Sequence, residues 1–198
     1  MLRSFSTSRI RVHPVNPDYE SWNVVTEKKI CKMSENGTNQ LLSEEEETAV
    51  KESWTVIWND KKNNGIKIFI KLFTHYPDAI GKFKDFNGLT LEEVKVHKKL
   101  RAHALSVVYA LKSFIDNLDD VETLVELVKK NASNHVERKV TEKQIMWLKP
   151  VFIEILEEIM GDEMKDIHKT AWNKLFNAIK LLWKQEQDIV VAQQIEAS

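Results

Sequence analysis

Two histidines, His103 and His135, have surroundings that would let them do chemistry. Each stands on the apolar side of a segment with helical periodicity. His103 lies four residues before Val107 in a run of Leu100, Ala104, Val107, Val108, Leu111 and Ile115, and His135 closes a run of Leu124, Leu127, Val128 and Ala132. Residues three and four apart share a helix face, so both imidazoles are carried toward a core. A neutral imidazole aimed into a core offers a lone pair to a metal ion or an N–H to a small ligand. The same placement also suits a core histidine satisfied by its neighbours, and one histidine by itself does not separate these readings. His75, His97 and His168 read as surface residues. Cys31 is the single cysteine, so neither an internal disulfide nor a zinc–thiolate centre can be built.

The elements that would carry these residues are helical throughout. Ser43 with Glu46 is a capping box, opening a helix whose apolar stripe is Ala49, Val50, Trp54, Ile57 and Trp58. After a polar break from Asn59 to Asn64, Gly65 stands at the start of a second helix bearing Ile66, Phe69, Ile70 and Phe73. Pro77 stops that helix near Tyr76, because proline suits a first helical turn and not an interior. Thr90 with Glu93 opens one long segment to about Leu118, and a helix over Val121 to Val136 follows. Two more run from Thr141 to Met160 and from Glu163 to Gln187, divided by Gly161-Asp162. Trp54, Trp147 and Trp172 read as packing residues. Glu44 to Glu47 reads as a solvated helix face, and Lys61-Lys62 as a loop. The reading is all-α, with seven to eight helices and no strand run.

Composition agrees with this. Of the 198 residues 42% are hydrophobic and 30% charged, as in globular proteins, and 5 Gly with 4 Pro leave few tight turns for a sheet. The net charge of −1 gives no global reason to expect nucleic acid. No stretch approaches the 18 or so consecutive apolar residues of a membrane-spanning helix, so the chain is not expected to be transmembrane. Residues 1–41 read as an extension, 42–187 as the folded domain and 188–198 as a tail. Within the extension, Met1 to Arg11 carries Arg3, Arg9 and Arg11 among Ser and Thr with no acid, which fits a mitochondrial transit peptide. A basic tail without an address fits equally, and Met33 offers a second start that omits the basic segment. The expected location is intracellular: cytoplasmic, or mitochondrial if the basic segment is an address.

Five stretches in order resemble the globin family, most closely the cytoglobin-like, neuroglobin-like and other invertebrate intracellular globins. They are Ser43 to Trp54; Gly65-x-x-x-Phe69-x-x-Leu72-Phe73-x-x-x-Pro77; Phe83 and Phe86; Leu100-Arg101-Ala102-His103-Ala104 with Val107; and His135-x-x-x-x-Val140. The resemblance covers about Leu42 to Lys184. Individually these motifs are common, whereas the ordered set is specific. The 32 positions between His103 and His135 match the spacing in neuroglobin-like and cytoglobin-like chains. Asn131 departs from the leucine common four residues before the second histidine. His97 competes for the first role, but only His103 precedes the matching Ala104 and Val107.

The resemblance implies a globin fold around haem b, held non-covalently, with His135 as the proximal iron ligand. His103 is then distal, facing the bound gas or the iron itself. Such a ligand is usually oriented by a partner for its other ring nitrogen, for which a backbone carbonyl, Asn131 or Ser133 are candidates. A distal N–H would stabilise the partial negative charge that dioxygen acquires. Phe83 is expected flat against the haem, with Phe86 beside it in the same corner. Phe69 fills the distal space and Val107 narrows access. Gly65 and Ala104 would let two helices cross closely. The leading function is reversible binding of dioxygen and other diatomic gases for transport, storage or sensing, without enzymatic activity. Alternatives are a nitric oxide dioxygenase or nitrite reductase, which would need a separate reductase as partner, and a haem-free globin fold acting through protein contacts. A homo-oligomer is compatible with each.

Overall fold

A computed structural model describes residues 40–196. The expectations for the basic N-terminal segment and for Met33 fall outside the described residues. Helix α1 (Glu44–Asn59) starts on the anticipated capping box: the Ser43 N–H donates to Glu46 Oε2 at 3.0 Å and the Glu46 N–H to Ser43 Oγ at 3.2 Å. Glu46 is not part of a solvated face. It is buried and pairs with Lys174 at 2.7 Å, tying the start of α1 to the last helix.

Helix α2 (Lys61–His75) begins four residues earlier than its apolar pattern suggests, so Lys61-Lys62 is not a loop and Gly65 lies in the second turn. Only Asp60 separates α1 from α2. Its carboxylate caps the new helix, and the buried Asn64 amide donates to the Val56 and Ile57 carbonyls at 3.2 Å each. An asparagine that looks like part of a break in sequence thus satisfies carbonyls orphaned by the end of α1.

Pro77 starts a short 3₁₀ turn (Pro77–Lys82), and a second 3₁₀ turn (Lys84–Phe86) leads to α3 (Leu91–Val96). The Thr90–Glu93 box is formed, yet the long segment expected after it is two helices. His97 breaks the run in extended backbone (φ −72°, ψ 129°). Its Nδ1 accepts from the Lys99 N–H at 3.2 Å, making it the cap of α4 (Lys98–Ile115) rather than a plain surface residue.

Helix α5 (Val121–Val136) has the expected bounds. The segment after it divides into α6 (Glu142–Ile145) and α7 (Leu148–Met160). Pro150 accounts for the division, since it has no N–H to give to the Met146 carbonyl and is accommodated only in a first turn. After a 3₁₀ turn (Gly161–Glu163), α8 (Asp166–Glu196) continues well past Gln187. His168, expected at the surface, is 5% exposed, with Nδ1 accepting from the Lys165 N–H at 2.9 Å. Among the described residues eight α-helices occur and no strand, and no helix is long and apolar enough to cross a membrane.

Helices α1, α7 and α8 meet at Trp54, Phe152 and Trp172, with Phe152 and Trp172 ring centroids 4.5 Å apart. Ser53 Oγ accepts from the Trp172 indole at 2.8 Å and donates to the Ala49 carbonyl at 2.7 Å, so this polar pair is satisfied inside the core. Trp147, the third tryptophan read as packing, stacks on Tyr76 at 5.1 Å.

Helices α2 and α4 cross with Gly65 at the contact. A Cβ there would lie 3.1 Å from Val108 Cγ2 and 3.2 Å from the Ala104 carbonyl oxygen, and the latter cannot rotate away. Gly65→Ala is therefore expected to lower stability by about 1 kcal/mol or more. Overpacking outweighs the ~1 kcal/mol that alanine gains in a helix interior. Denaturant unfolding checks this; a more stable Gly65→Ala protein would show that the crossing is not tight.

Candidate functional site

The end of α5 presents His135. Residues 136–140 turn sharply, with Lys139 in the left-handed region (φ 61°) and the Val140 N–H donating to the His135 carbonyl at 3.0 Å. This bond gives the His135-x-x-x-x-Val140 spacing its physical meaning: it closes the helix one turn after the imidazole. The ring itself is half-buried. Its Nδ1 lies 2.8 Å from the Asn131 carbonyl oxygen, which can only accept, so Nδ1 carries the proton. Nε2 is left with the lone pair. The orienting group is thus a backbone carbonyl and not the Asn131 side chain or the Ser133 hydroxyl, which explains why a leucine is not needed at position 131 for this contact.

His103 projects from α4 into a wall of phenylalanines. Phe69 of α2 and Phe83 meet its ring edge-on at centroid distances of 5.2 and 5.1 Å, and Phe69 and Phe83 are themselves perpendicular at 6.0 Å. Phe86 does not reach His103. Fully buried, it stacks behind Phe83 at 5.3 Å and touches Phe73 and the His97 ring. Val107, one turn after His103, is partly buried against the core.

Burial, aided by positive charge on His135 and Arg138, pushes the His103 pKa down to about 4. His135 is also shifted down, chiefly by burial; the Asn131 carbonyl works in the opposite direction and Arg138 adds to the lowering. Both imidazoles are therefore neutral at pH 7, each with one N–H and one lone pair.

Among the described residues no three or more His, Cys, Asp or Glu side chains gather into a cage for a metal ion. Two neutral imidazoles and a ring of phenylalanines suit an ion that arrives with its other ligands on a flat apolar carrier. The donor set fits haem, in which four nitrogens are already supplied and one protein nitrogen completes the strong coordination. A neutral Nε2 whose other nitrogen is held by a carbonyl is the state in which imidazole ligates metal.

Sequence reasoning missed Trp183 of α8. Its ring lies 5.2 Å from that of His135, tilted by 57°. In the sequence it belongs to the apolar stripe Trp172, Leu175, Ile179 and Leu182, which marks it as core but gives no sign of which residue it touches.

The family model described as Globin matches residues 66–180. A globin of Nerita albicilla is 32% identical over 146 residues, covering 74% of this chain and 93% of the relative. Globin-1 of Anadara broughtonii is 31% identical over 148 residues, with 74% and 97% covered. Among solved structures, ferric myoglobin of Aplysia limacina superposes with a TM-score of 0.69 at 25% identity, covering 73% of this chain and 98% of that one. A double mutant of the same myoglobin gives 0.68 at 26% identity.

Proposed function

Because this chain belongs to the globin family, we propose that it binds dioxygen reversibly at a haem held by His135, with His103 facing the gas. The all-helical architecture is that of the globin fold. The observation that carries the reading is the state of His135: a half-buried neutral imidazole with Nδ1 committed to the Asn131 carbonyl and Nε2 left with the lone pair. Haem, when bound, would supply an iron with one side for that nitrogen and the other for a small gas.

The chain's own residues do the rest. His103, kept neutral by its burial, offers an N–H without carrying a charge into the apolar space. Phe69 and Phe83 hold the imidazole from two perpendicular directions and keep bulk water from it. Phe86 supports Phe83 from behind, and Val107 borders the same space. Gly65 and Ala104 let α2 approach α4 closely enough to bring Phe69 onto His103.

Absorption spectra of the ferric, ferrous and carbonmonoxy forms test this. A ferrous spectrum that changes on adding oxygen and reverts on its removal is the expected result; a purified protein that takes up no haem overturns it. His103→Leu should keep haem and lower dioxygen affinity about 10- to 100-fold, because a hydrogen bond to a charged group contributes roughly 1.5–3 kcal/mol and each 1.4 kcal/mol is tenfold. Unchanged affinity in this variant would remove His103 from the gas site. A six-coordinate ferrous resting spectrum that becomes five-coordinate in the variant would put His103 on the iron instead.

A further inference from the structure

We infer that α8, acting through Trp183 and Glu186, is what positions the His135 imidazole; the inference rests on the reading of His135 as the iron's ligand. The hydrogen bond to Asn131 comes from α5 itself and limits only one edge of the ring. A second constraint has to come from another element.

Trp183 supplies it. The indole is 2% exposed and lies against the His135 ring, and its buried N–H has no acceptor among the described residues. Leaving a buried donor unpaired costs about 1–3 kcal/mol, so a leucine would be the cheaper filler for a position that only had to be apolar. A large flat ring beside the imidazole restricts its rotation where a smaller side chain would leave room.

Glu186, one turn further along α8, grips the same part of α5 from the side. Burial raises the pKa of its half-buried carboxylate, while a hydrogen bond with the Ser133 side chain and the charge of Lys129 favour its ionised form. Lys129 is itself 3% exposed and stands 3.6 Å from Glu126. A buried ammonium needs its carboxylates, since removing one partner of a buried charge leaves the other uncompensated. Ser133 and Lys129 lie two and six residues before His135. Residues one turn apart on α8 therefore bear on the last two turns of α5, Trp183 on the imidazole itself and Glu186 on the helix that carries it. Trp183 and Glu186 act through His135 and α5, so they are positioning residues.

The test is resonance Raman spectroscopy of the ferrous, unliganded holoprotein, read at the iron–imidazole stretching band, together with the rate of haem loss. The band in the wild type reports on the parent reading: its absence means that His135 is not the ligand. Given the band, Trp183→Leu and Glu186→Ala are expected to shift it and to speed haem loss about 10- to 100-fold, the range for removal of a partner that orients a metal ligand. Trp183→Phe, which keeps a ring, and Glu186→Gln, which still accepts from Ser133, should stay near the wild-type band. If Trp183→Leu does not fold, Glu186→Ala decides. A folded Glu186→Ala or Trp183→Leu protein, helical as the wild type by circular dichroism, whose band is unmoved overturns the inference.

Discussion

His135→Ala protein prepared with excess haem is expected to show no stable Soret band, whereas His103→Ala retains one. The difference follows from how the two rings are held. His135 has its Nδ1 held by the Asn131 carbonyl at 2.8 Å and its ring beside Trp183, which leaves Nε2 as the nitrogen to ligate iron. Among the described residues His103 has no comparable hydrogen bond to a backbone group; the Phe69 and Phe83 rings flank it, which suits a donor that meets a small ligand rather than the main anchor of a large one. With His135 gone, apolar burial alone retains haem only weakly. Absorbance after gel filtration separates the cases, and a His135→Ala protein that keeps haem normally would show that the ligand has been assigned to the wrong residue.

Acidification of the haem-free protein should remove a large part of its stability between about pH 6.5 and 4. In the unfolded chain a histidine titrates near 6.5. In the folded protein burial, aided by the charges of His135 and Arg138, holds His103 down to about 4, and burial lowers His135 in the same direction. Above pH 6.5 both rings are neutral whether the chain is folded or not, and the stability is fully present. Below 6.5 the unfolded chain binds protons that the folded pocket refuses, so stability falls with pH until the folded pKa is reached. For His103 the full loss is about 3 kcal/mol, at 1.36 kcal/mol per pKa unit, against a total of roughly 5–15 kcal/mol for a typical domain. Denaturant unfolding of the apoprotein at several pH values measures it. His103→Leu should flatten the profile in this window; an equally steep profile in the variant would mean that other groups cause the loss.

The parts of the fold that could be read from sequence are those made by neighbours in the chain. Ser43 with Glu46 and Thr90 with Glu93 form their reciprocal hydrogen bonds within one helical turn, and α5 has its expected ends because its apolar stripe and its cap, Asp120, are local. The boundaries that could not be read depend on distant partners or on a side chain with two uses. Asn64 looks like part of a break until α1 ends where its carbonyls need a donor. His97 looks like one more residue of a long helix until its ring turns back to cap α4 against Phe86. Glu46 and His168 look solvated, yet Glu46 is buried beside Lys174 of α8, and His168, itself on α8, is buried with its ring turned back to the Lys165 N–H.

The candidate site divides in the same way. The sequence by itself determined that two imidazoles stand on apolar helix faces 32 positions apart, because helix periodicity dictates which side chains share a face; that Phe69, Phe83 and Val107 border one of them was implied by the family resemblance. Only the tertiary structure decided that the Asn131 carbonyl, not a side chain, holds His135, that Phe86 stands behind Phe83 and not beside His103, and that Trp183 and Glu186 of α8 reach the end of α5. Those contacts join residues up to 57 positions apart, from Lys129 to Glu186. A periodic pattern says which face of each helix is buried. It carries no information on how far two helices slide along each other before their side chains interlock.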